Sequence, residues 1–237
     1  MTTNCDTRAA KARILDAALP LVPFNGWGHA TWEGAVKESG LDIREARRVF
    51  PRTSLDLALE YEATLDREMV RKLEESASEL ESLRFRDRVV YAVRTRFELA
   101  DREVLRKSTA SFALPHHAAP GAHALWKTAD TIWNALNDTS RDVNWYTKRM
   151  LLSGILASTN LFWIGDDSQG RSETWEFLDR RIEDVMRIER GKARLRDLPG
   201  YQAFMAGPGR ILQSISAPPG VSPPDLPGFM PEDSSKS

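Results

Sequence analysis

The sequence has a single cysteine, Cys5, among its 237 residues. One cysteine cannot form an intramolecular disulfide, and without further thiols it cannot contribute to a cysteine-rich zinc site. Three of the four histidines lie in the stretch "PHHAAPGAH", a loop-type segment rich in proline and glycine with no convergent acidic ligand. The sequence therefore predicts neither a metal ion nor a catalytic thiol.

Catalytic and phosphate-binding motifs are absent as well. The chain contains no GxSxG, Walker loop, GxGxxG or HExxH sequence. Its glycine-rich segments, "GHATWEGA" and "MAGPGR", do not follow a predicted strand, as a phosphate loop would. Paired acids such as Asp166 and Asp167 lie in contexts typical of solvated carboxylates. We expect a protein that is not an enzyme and that binds no cofactor.

The chain also lacks a charge excess, since 33 basic and 34 acidic residues give a net charge of −1. With 41% hydrophobic residues, this composition is typical of a soluble globular chain of one or two domains with a sizeable core. The N-terminal stretch "MTTNCDTRAAKARILDAALPLV" has no uninterrupted apolar segment behind a basic region, and its Asp6 and Asp16 are unlike an organelle transit peptide. We expect a cytoplasmic protein.

Helical periodicity is the dominant signal that the sequence does contain. Apolar residues recur every three or four positions over residues 14–22 and 55–73, and strand-like alternation is not sustained anywhere. The predicted fold class is all-α. Later helices are expected near residues 86–113, 121–137, 143–165 and 171–190.

Glycine, proline and capping residues indicate where the first helices begin and end. Gly26 and Gly28 separate the first helix from a second, which Thr31 is expected to cap; Gly40 ends the second, and a long fourth helix begins near Ser54. The predicted organisation has four parts: a helix-turn-helix-like head at 1–53, a helical bundle at 54–190, an amphipathic helix at 191–216 and a disordered, proline-rich tail at 217–237.

The predicted helix at 143–165 is unusual because residues 150–164 carry no charged side chain. A membrane-spanning helix needs roughly 20 predominantly apolar residues, and this run is interrupted by Ser153, Ser158, Thr159 and Asn160. A span is therefore not predicted. On a helical wheel apolar residues cover nearly the whole surface, which is typical of a helix that is buried or faces something other than water on two sides.

The first sixty residues resemble the helix-turn-helix module at the head of TetR-type repressors, with "SGLD" as the turn and "IREARRVFP" as the recognition helix. Duplex DNA binding depends mainly on phosphate neutralisation by Lys and Arg. Residues 1–60 contain eight basic and eight acidic residues, so the head has no net charge. We therefore predict no nucleic-acid partner.

The recognition helix also departs from typical repressors. Ile43, Arg47 and Val49 stand where such repressors have Lys, Tyr and His, and Asp42 and Glu45 lie beside the expected groove. The alternative function is a ligand-responsive TetR-type repressor. It would depend on three arginines whose ordinary interpretation is a solvated helix face: Arg44, Arg47 and Arg48.

Beyond the head, the combination of "DTIW", "DVNWYTKRMLLSGILASTNLFW" and "SETWEFLDRRIEDVM" resembles the coenzyme Q biosynthesis accessory family known as coenzyme Q biosynthesis protein nine. The likeness extends over roughly residues 10–215. It implies a TetR-like fold that binds isoprenoid lipids and assists the di-iron hydroxylase acting late on the quinone ring, without catalysing a reaction itself. It also implies peripheral association with a membrane. We expect this to be the inner membrane, and we expect the protein to be a homodimer.

The resemblance and the apolar helix together predict three sets of site residues. The lipid-binding residues are Trp133, Met150, Leu152, Ile155, Leu156 and Trp163, although an ordinary bundle or dimer core would fit their pattern equally well. The residues expected to face the hydroxylase are Asp130, Ile132, Trp133, Asp142, Asn144, Trp145, Tyr146 and Arg149. On the helical wheel Asp142 and Arg149 fall close together beside Trp145.

The third set lies near the end of the chain, after the basic run at 190–196. Its apolar residues follow helical spacing in the manner of an interfacial helix. The residues expected to contact the membrane are Tyr201, Phe204, Met205, Ile211, Leu212 and Ile215. Packing of this segment onto the bundle or onto a second subunit is the alternative.

Overall fold

The computed structural model describes residues 3–137 and 143–196, with side chains for 6–137 and 145–187. Within these ranges the chain forms α-helices, one 3-10 turn and no strand, so the all-α prediction is confirmed. The helices are α1 Thr3–Ala18, α2 Val22–Asn25, α3 His29–Ser39, α4 Ile43–Val49, α5 Ser54–Glu75, α6 Ala77–Ser82, α7 Phe85–Glu98, α8 Arg102–Phe112, α9 Ala118–Ala135, α10 Val143–Gly165 and α11 Ser172–Arg196.

The turn between α3 and α4 confirms one predicted boundary and corrects one predicted cap. Gly40 adopts a left-handed conformation with φ of 66° and ends α3, a conformation that glycine adopts without a steric penalty. The predicted cap at Thr31 is wrong, because α3 begins at His29 and Gly28 occupies the N-cap position. Thr31 is buried within the first turn and donates its hydroxyl to the Gly26 carbonyl at 2.6 Å.

The stretch predicted as one helix near 86–113 is two helices. Asp101 lies between α7 and α8 and accepts a hydrogen bond from the Val104 amide at 3.0 Å, which caps α8. The amide of Asp101 in turn donates to the Tyr61 hydroxyl of α5 at 3.1 Å. Apolar periodicity continues across this break, so hydrophobic spacing alone does not reveal it.

Two buried clusters organise the fold and meet on α5. The cluster of the head gathers Ile14, Trp32 and Phe50, with the rings of Trp32 and Phe50 packed edge to face at 6.3 Å, and it extends to Leu57 on α5. The cluster of the bundle begins with Met69 further along α5 and continues through α7, α9, α10 and α11. Because α5 contributes to both, it fixes the head relative to the bundle.

Most of the surface of α10 is covered, because this helix packs against α8, α9 and α11 of the same chain. Leu156 and Trp163 on its inner side are each 1% exposed, whereas Met150 and Leu161 are each 62% exposed. Among the described residues, we find no helix whose length and apolarity would suffice to cross a membrane. α10 is therefore a bundle helix with one uncovered apolar stripe.

The predicted tail at 217–237 lies outside the described residues, as does the predicted amphipathic segment beyond Arg196.

Candidate functional site: a cavity between α8, α9 and α10

A cavity of about 330 Å³ lies between α8, α9 and α10, with α5 and α7 closing its inner end. Its volume is at the lower end of the range of roughly 300–1,000 Å³ that small-molecule pockets occupy. The apolar residues lining it are Phe97, Leu105, Phe112, Ala113, Ala118, Gly121, Ala122, Ala124, Leu125, Leu156, Ala157 and Leu161. The polar residues lining it are Glu62, Arg96, Thr109, Thr128 and Asn160.

Small side chains on α9 and α10 account for the space. Ala122 and Ala124 on α9 and Ala157 on α10 line the cavity. Gly121 lets α9 approach α8, because a Cβ atom at that position would lie 2.6 Å from the Cβ of Phe112. The ring of Phe112 thus packs against the backbone of α9 and forms part of the cavity wall.

The inner end of the cavity carries a buried ionic cluster of Glu62, Asp66, Arg96 and Thr128. Arg96 contacts Glu62 through Nη2 at 2.6 Å and Asp66 through Nε at 2.7 Å. Thr128 donates its hydroxyl to Asp66 at 2.9 Å. The Arg96 side chain is 5% exposed, so these are interactions within the protein interior. Glu62, Arg96 and Thr128 line the cavity and give it a polar end.

Two carboxylates share one guanidinium in this cluster. Burial raises the pKa of Glu62, and the neighbouring Arg96 only partly offsets that effect. Burial alone would lower the pKa of Arg96. The negative charges of Asp66 and Glu62 raise that pKa by more than burial lowers it, so the guanidinium stays charged. Glu62 therefore takes up a proton more readily, as the pH falls, than an exposed glutamate does.

The predicted lipid-binding residues divide between this cavity and the bundle core. Leu156 lines the cavity. Leu152, Ile155, Trp133 and Trp163 lie in the core of the bundle, each 7% exposed or less. Met150 lies on the exposed side of α10.

The α8 and α9 walls were not predicted from the sequence; they include Leu105, Phe112, Gly121 and Leu125. One sequence feature could have indicated the α9 wall, namely the concentration of small residues at 118–124, "AAPGAHA", at the start of the predicted helix.

A second distinctive arrangement surrounds Arg149, whose side chain is 1% exposed. Its Nε donates to Asp130 on α9 at 2.5 Å, and Nη2 donates to Asn134 at 3.2 Å. Its guanidinium lies 3.9 Å from the centre of the Trp145 ring, within cation–π distance. These contacts join the beginning of α10 to the end of α9.

Trp145 also belongs to an aromatic group with Tyr146, 4.7 Å between ring centres, and with Trp126 on α9, 6.0 Å between ring centres. We call Trp126, Trp145, Tyr146 and Arg149 the aromatic patch. Its three rings are partly exposed, whereas the arginine beneath Trp145 is buried. The patch therefore offers large amphipathic side chains at the surface, next to a buried arginine that is hydrogen-bonded to α9.

The other residues predicted to face a partner occupy varied environments. Asp130 retains 24% side-chain exposure. Ile132 is fully buried and Trp133 is 5% exposed, with its ring stacked on Phe85 at 5.7 Å between ring centres. Asn144 lies in α10 but its side chain is outside the described residues, as is Asp142, so the expected proximity of Asp142 to Arg149 stays a prediction.

The membrane-contacting residues predicted from the sequence also lie outside the described part of the chain: Tyr201, Phe204, Met205, Ile211, Leu212 and Ile215.

In the head, α4 exposes Arg44, Arg47 and Arg48 to solvent. Asp42 caps this helix by accepting the Arg44 amide at 2.8 Å. The three arginines therefore occupy the exposed helix face on which the repressor alternative depends.

Residues 118–189, which include α9, α10 and most of α11, match the COQ9 family model. The chain is a homologue of the COQ9 proteins. The resemblance predicted from the sequence is thus confirmed. The matched segment contains the α9 and α10 walls of the cavity and the whole aromatic patch.

Curated relatives extend this similarity beyond the matched segment. The protein named "Ubiquinone biosynthesis protein COQ9, mitochondrial" from Bos taurus is 32% identical over 74% of this chain and 57% of its own length. Proteins of the same name from Drosophila melanogaster and Homo sapiens are each 30% identical, over 76% and 74% of this chain and 56% and 57% of their own lengths. The chain spans somewhat more than half the length of these relatives.

A solved structure confirms the predicted TetR-like fold. The TetR transcriptional regulator from Nitrosomonas europaea superposes with a TM-score of 0.59 at 19% identity, over 73% of this chain and 95% of that chain. At this identity the likeness concerns the fold alone.

Proposed function

We propose that this protein is a lipid-binding accessory factor in ubiquinone biosynthesis, which holds an isoprenoid quinone intermediate and assists the late di-iron ring hydroxylase. The observation that carries the proposal is the cavity between α8, α9 and α10, whose walls are mainly apolar and whose inner end is polar. An amphipathic ligand with an apolar chain and a polar head would match this arrangement of apolar walls and a polar end.

The energetics of transfer favour such a ligand. Burying each methylene group contributes about 0.8 kcal/mol, so a few isoprene units in the cavity would supply several kcal/mol. Leu156, Phe112 and Leu125 provide apolar surface for the chain. The relatives are named as ubiquinone biosynthesis proteins, which supports an isoprenoid quinone rather than another lipid.

The aromatic patch supports the hydroxylase as partner. Trp, Tyr and Arg are the residue types that most often dominate binding energy at protein interfaces, and the patch places Trp145 and Tyr146 at the surface over a buried Arg149. Asp130 adds a partly exposed carboxylate beside them. The proposal includes no nucleic-acid partner, because the head carries no net charge.

Two further parts of the proposal concern assembly and location. The exposed apolar residues Met150 and Leu161, with Gly154 between them on α10, support a homodimer formed through this helix. We further propose that the protein is cytoplasmic and associates peripherally with the inner membrane through the apolar residues of 201–215. Their helical spacing after a basic run is the basis for that part.

Filling the cavity tests lipid binding directly. Ala157 lines the cavity, so Ala157→Phe should occupy the ligand's space without burying a charge. We expect the isoprenoid lipid that co-purifies with the full-length protein, measured by solvent extraction and mass spectrometry, to fall at least about tenfold. The helical circular dichroism spectrum should be unchanged.

Ala110→Phe is the matched control, because Ala110 is exposed on α8 and does not line the cavity. This variant should keep its lipid. The proposal fails if the unmodified protein carries no isoprenoid lipid, or if folded Ala157→Phe protein retains the same amount.

A further inference from the structure

The cavity offers no net positive charge to the head of a bound ligand. Among the described residues that line it, Arg96 is the only basic side chain and Glu62 the only acidic one. Arg96 also donates from Nε to Asp66 at 2.7 Å, although Asp66 does not line the cavity. Two carboxylates and one guanidinium give the ionic cluster a charge of −1, which becomes zero if Glu62 takes up a proton.

The ends of α8 and α9 do not supply a positive charge either. α8 ends at Phe112 and α9 begins at Ala118, and both residues line the cavity. The partial charge is negative where a helix ends and positive where a helix begins, so these two contributions oppose each other. A carboxylate or phosphate that moved from water to the polar end would lose its hydration without gaining a counter-ion, which costs far more than the transfer of an uncharged polar group.

We infer that the cavity selects lipids with an uncharged polar head over lipids with an anionic head, and that Asp66 enforces this selection by neutralising Arg96 together with Glu62. The inference rests on the proposed lipid-binding function and narrows it. The polar end accepts esters, ketones and phenols, whereas it rejects fatty acids and prenyl phosphates by charge and not by shape. Asp66 acts through Arg96, so it is a positioning residue.

Three probes with the same isoprenoid chain test the role of charge in the unmodified full-length protein. Methyl geranate has an uncharged head, geranic acid is an anion at neutral pH, and geranylamine is a cation. We expect isothermal titration calorimetry to show methyl geranate binding about tenfold more tightly than geranic acid, a difference of about 1.4 kcal/mol. Geranylamine should also bind more tightly than geranic acid, because the charge of the ionic cluster is negative or zero.

Asp66→Asn tests whether the ionic cluster sets this order of affinities. The substitution removes one negative charge, keeps the size of the side chain and leaves an oxygen that can accept from Arg96. We expect the ratio between methyl geranate and geranic acid to fall to about two, because less repulsion lets geranic acid bind more tightly. A loss of packing alone would instead weaken the binding of both probes together.

Asp56→Asn is the matched control, because Asp56 lies on the same helix, accepts from the exposed Arg52 at 2.7 Å and does not line the cavity. It should retain the tenfold ratio. If Asp66→Asn does not fold, the comparison of geranylamine with geranic acid in the unmodified protein still tests the sign of the charge at the polar end.

Equal binding of methyl geranate and geranic acid by the unmodified protein would overturn the inference while leaving lipid binding intact. Tighter binding of geranic acid than of geranylamine would also overturn it, as would a tenfold ratio that persists in folded Asp66→Asn. If none of the three probes binds, both the inference and the proposed cavity function fail.

Discussion

Arg96 and Arg149 are both buried, but the side chains that they contact differ in their exposure to solvent. Arg96 contacts Glu62 and Asp66, whose side chains are 12% and 11% exposed, so its interactions stay inside the bundle. Arg149 contacts Asp130, which is 24% exposed, and lies against the partly exposed ring of Trp145. Arg96 therefore links α5 and α7 inside the bundle, whereas Arg149 holds side chains that reach the surface.

Because of this difference, we expect the two regions to contribute to different properties, one to the stability of the fold and the other to partner binding. A buried charge that loses its partner is strongly destabilising, whereas a partly exposed aromatic side chain contributes mainly when a partner covers it. Substitutions in the Arg96 region should therefore act on folding, and those in the Arg149 region on binding.

The largest effect is expected for Arg96→Met. Removing the guanidinium leaves Glu62 and Asp66 as uncompensated buried carboxylates, and breaking a buried ion pair in this way costs about 3–5 kcal/mol of unfolding free energy. Urea denaturation followed by circular dichroism measures the change. The control is Arg94→Met on the same helix, where a half-exposed arginine pairs with Glu98, and it should cost about 1 kcal/mol or less. Equal losses in the two variants would contradict the assigned role of the cluster.

Trp145→Ala should reduce binding more than folding. Truncating an anchor at the centre of an interface costs about 2 kcal/mol or more, which is roughly thirtyfold in affinity. We expect the variant to stay folded, to keep its lipid and to lose co-purification with the di-iron hydroxylase. The ratio of late quinone intermediate to finished quinone should rise in cells that carry it.

Trp175→Ala is the control for this prediction, because Trp175 is a partly exposed tryptophan on α11 whose ring lies 4.9 Å from the Arg94 guanidinium, away from the aromatic patch. It should leave hydroxylase capture unchanged. A drop of many degrees in the melting temperature of Trp145→Ala would instead identify Trp145 as a core residue. Unchanged hydroxylase capture and quinone levels would argue against the proposed partner.

The smallest effect is a pH dependence at the polar end of the cavity. Because burial raises the pKa of Glu62 in the folded protein, the folded state binds its proton more tightly than the unfolded chain does. The associated stability is present below the unfolded pKa and is lost as the pH rises through the folded pKa. Glu62→Gln should remove this component, so that unfolding free energies measured from pH 4 to 8 fall less steeply with pH. An unchanged slope would show that Glu62 is not the titrating group.

Hydrophobic spacing and turn residues were sufficient for the all-α class of this protein and for most of its long helices. Helix periodicity predicted α5, α9, α10 and α11, and Gly40 marked the end of α3, because these signals act over one or two turns of chain. The resemblance to the COQ9 family was likewise readable, since "DVNWYTKRM" and "SETWEFL" are continuous in sequence. The break at Asp101 was missed because its cap and its bond to Tyr61 leave the apolar spacing undisturbed.

The functional details depend on contacts between distant segments. A helical wheel places Leu152 and Leu156 on one side of α10, but only the packing of small α9 residues and Phe112 decides that Leu156 borders a cavity while Leu152 fills the core. The same holds for the ionic cluster, since Asp66 and Arg96 are thirty positions apart and each resembles an ordinary surface charge in its own helix. Periodicity reports which face of a helix avoids water. The neighbouring helices determine whether that face meets side chains, a buried charge or an open space.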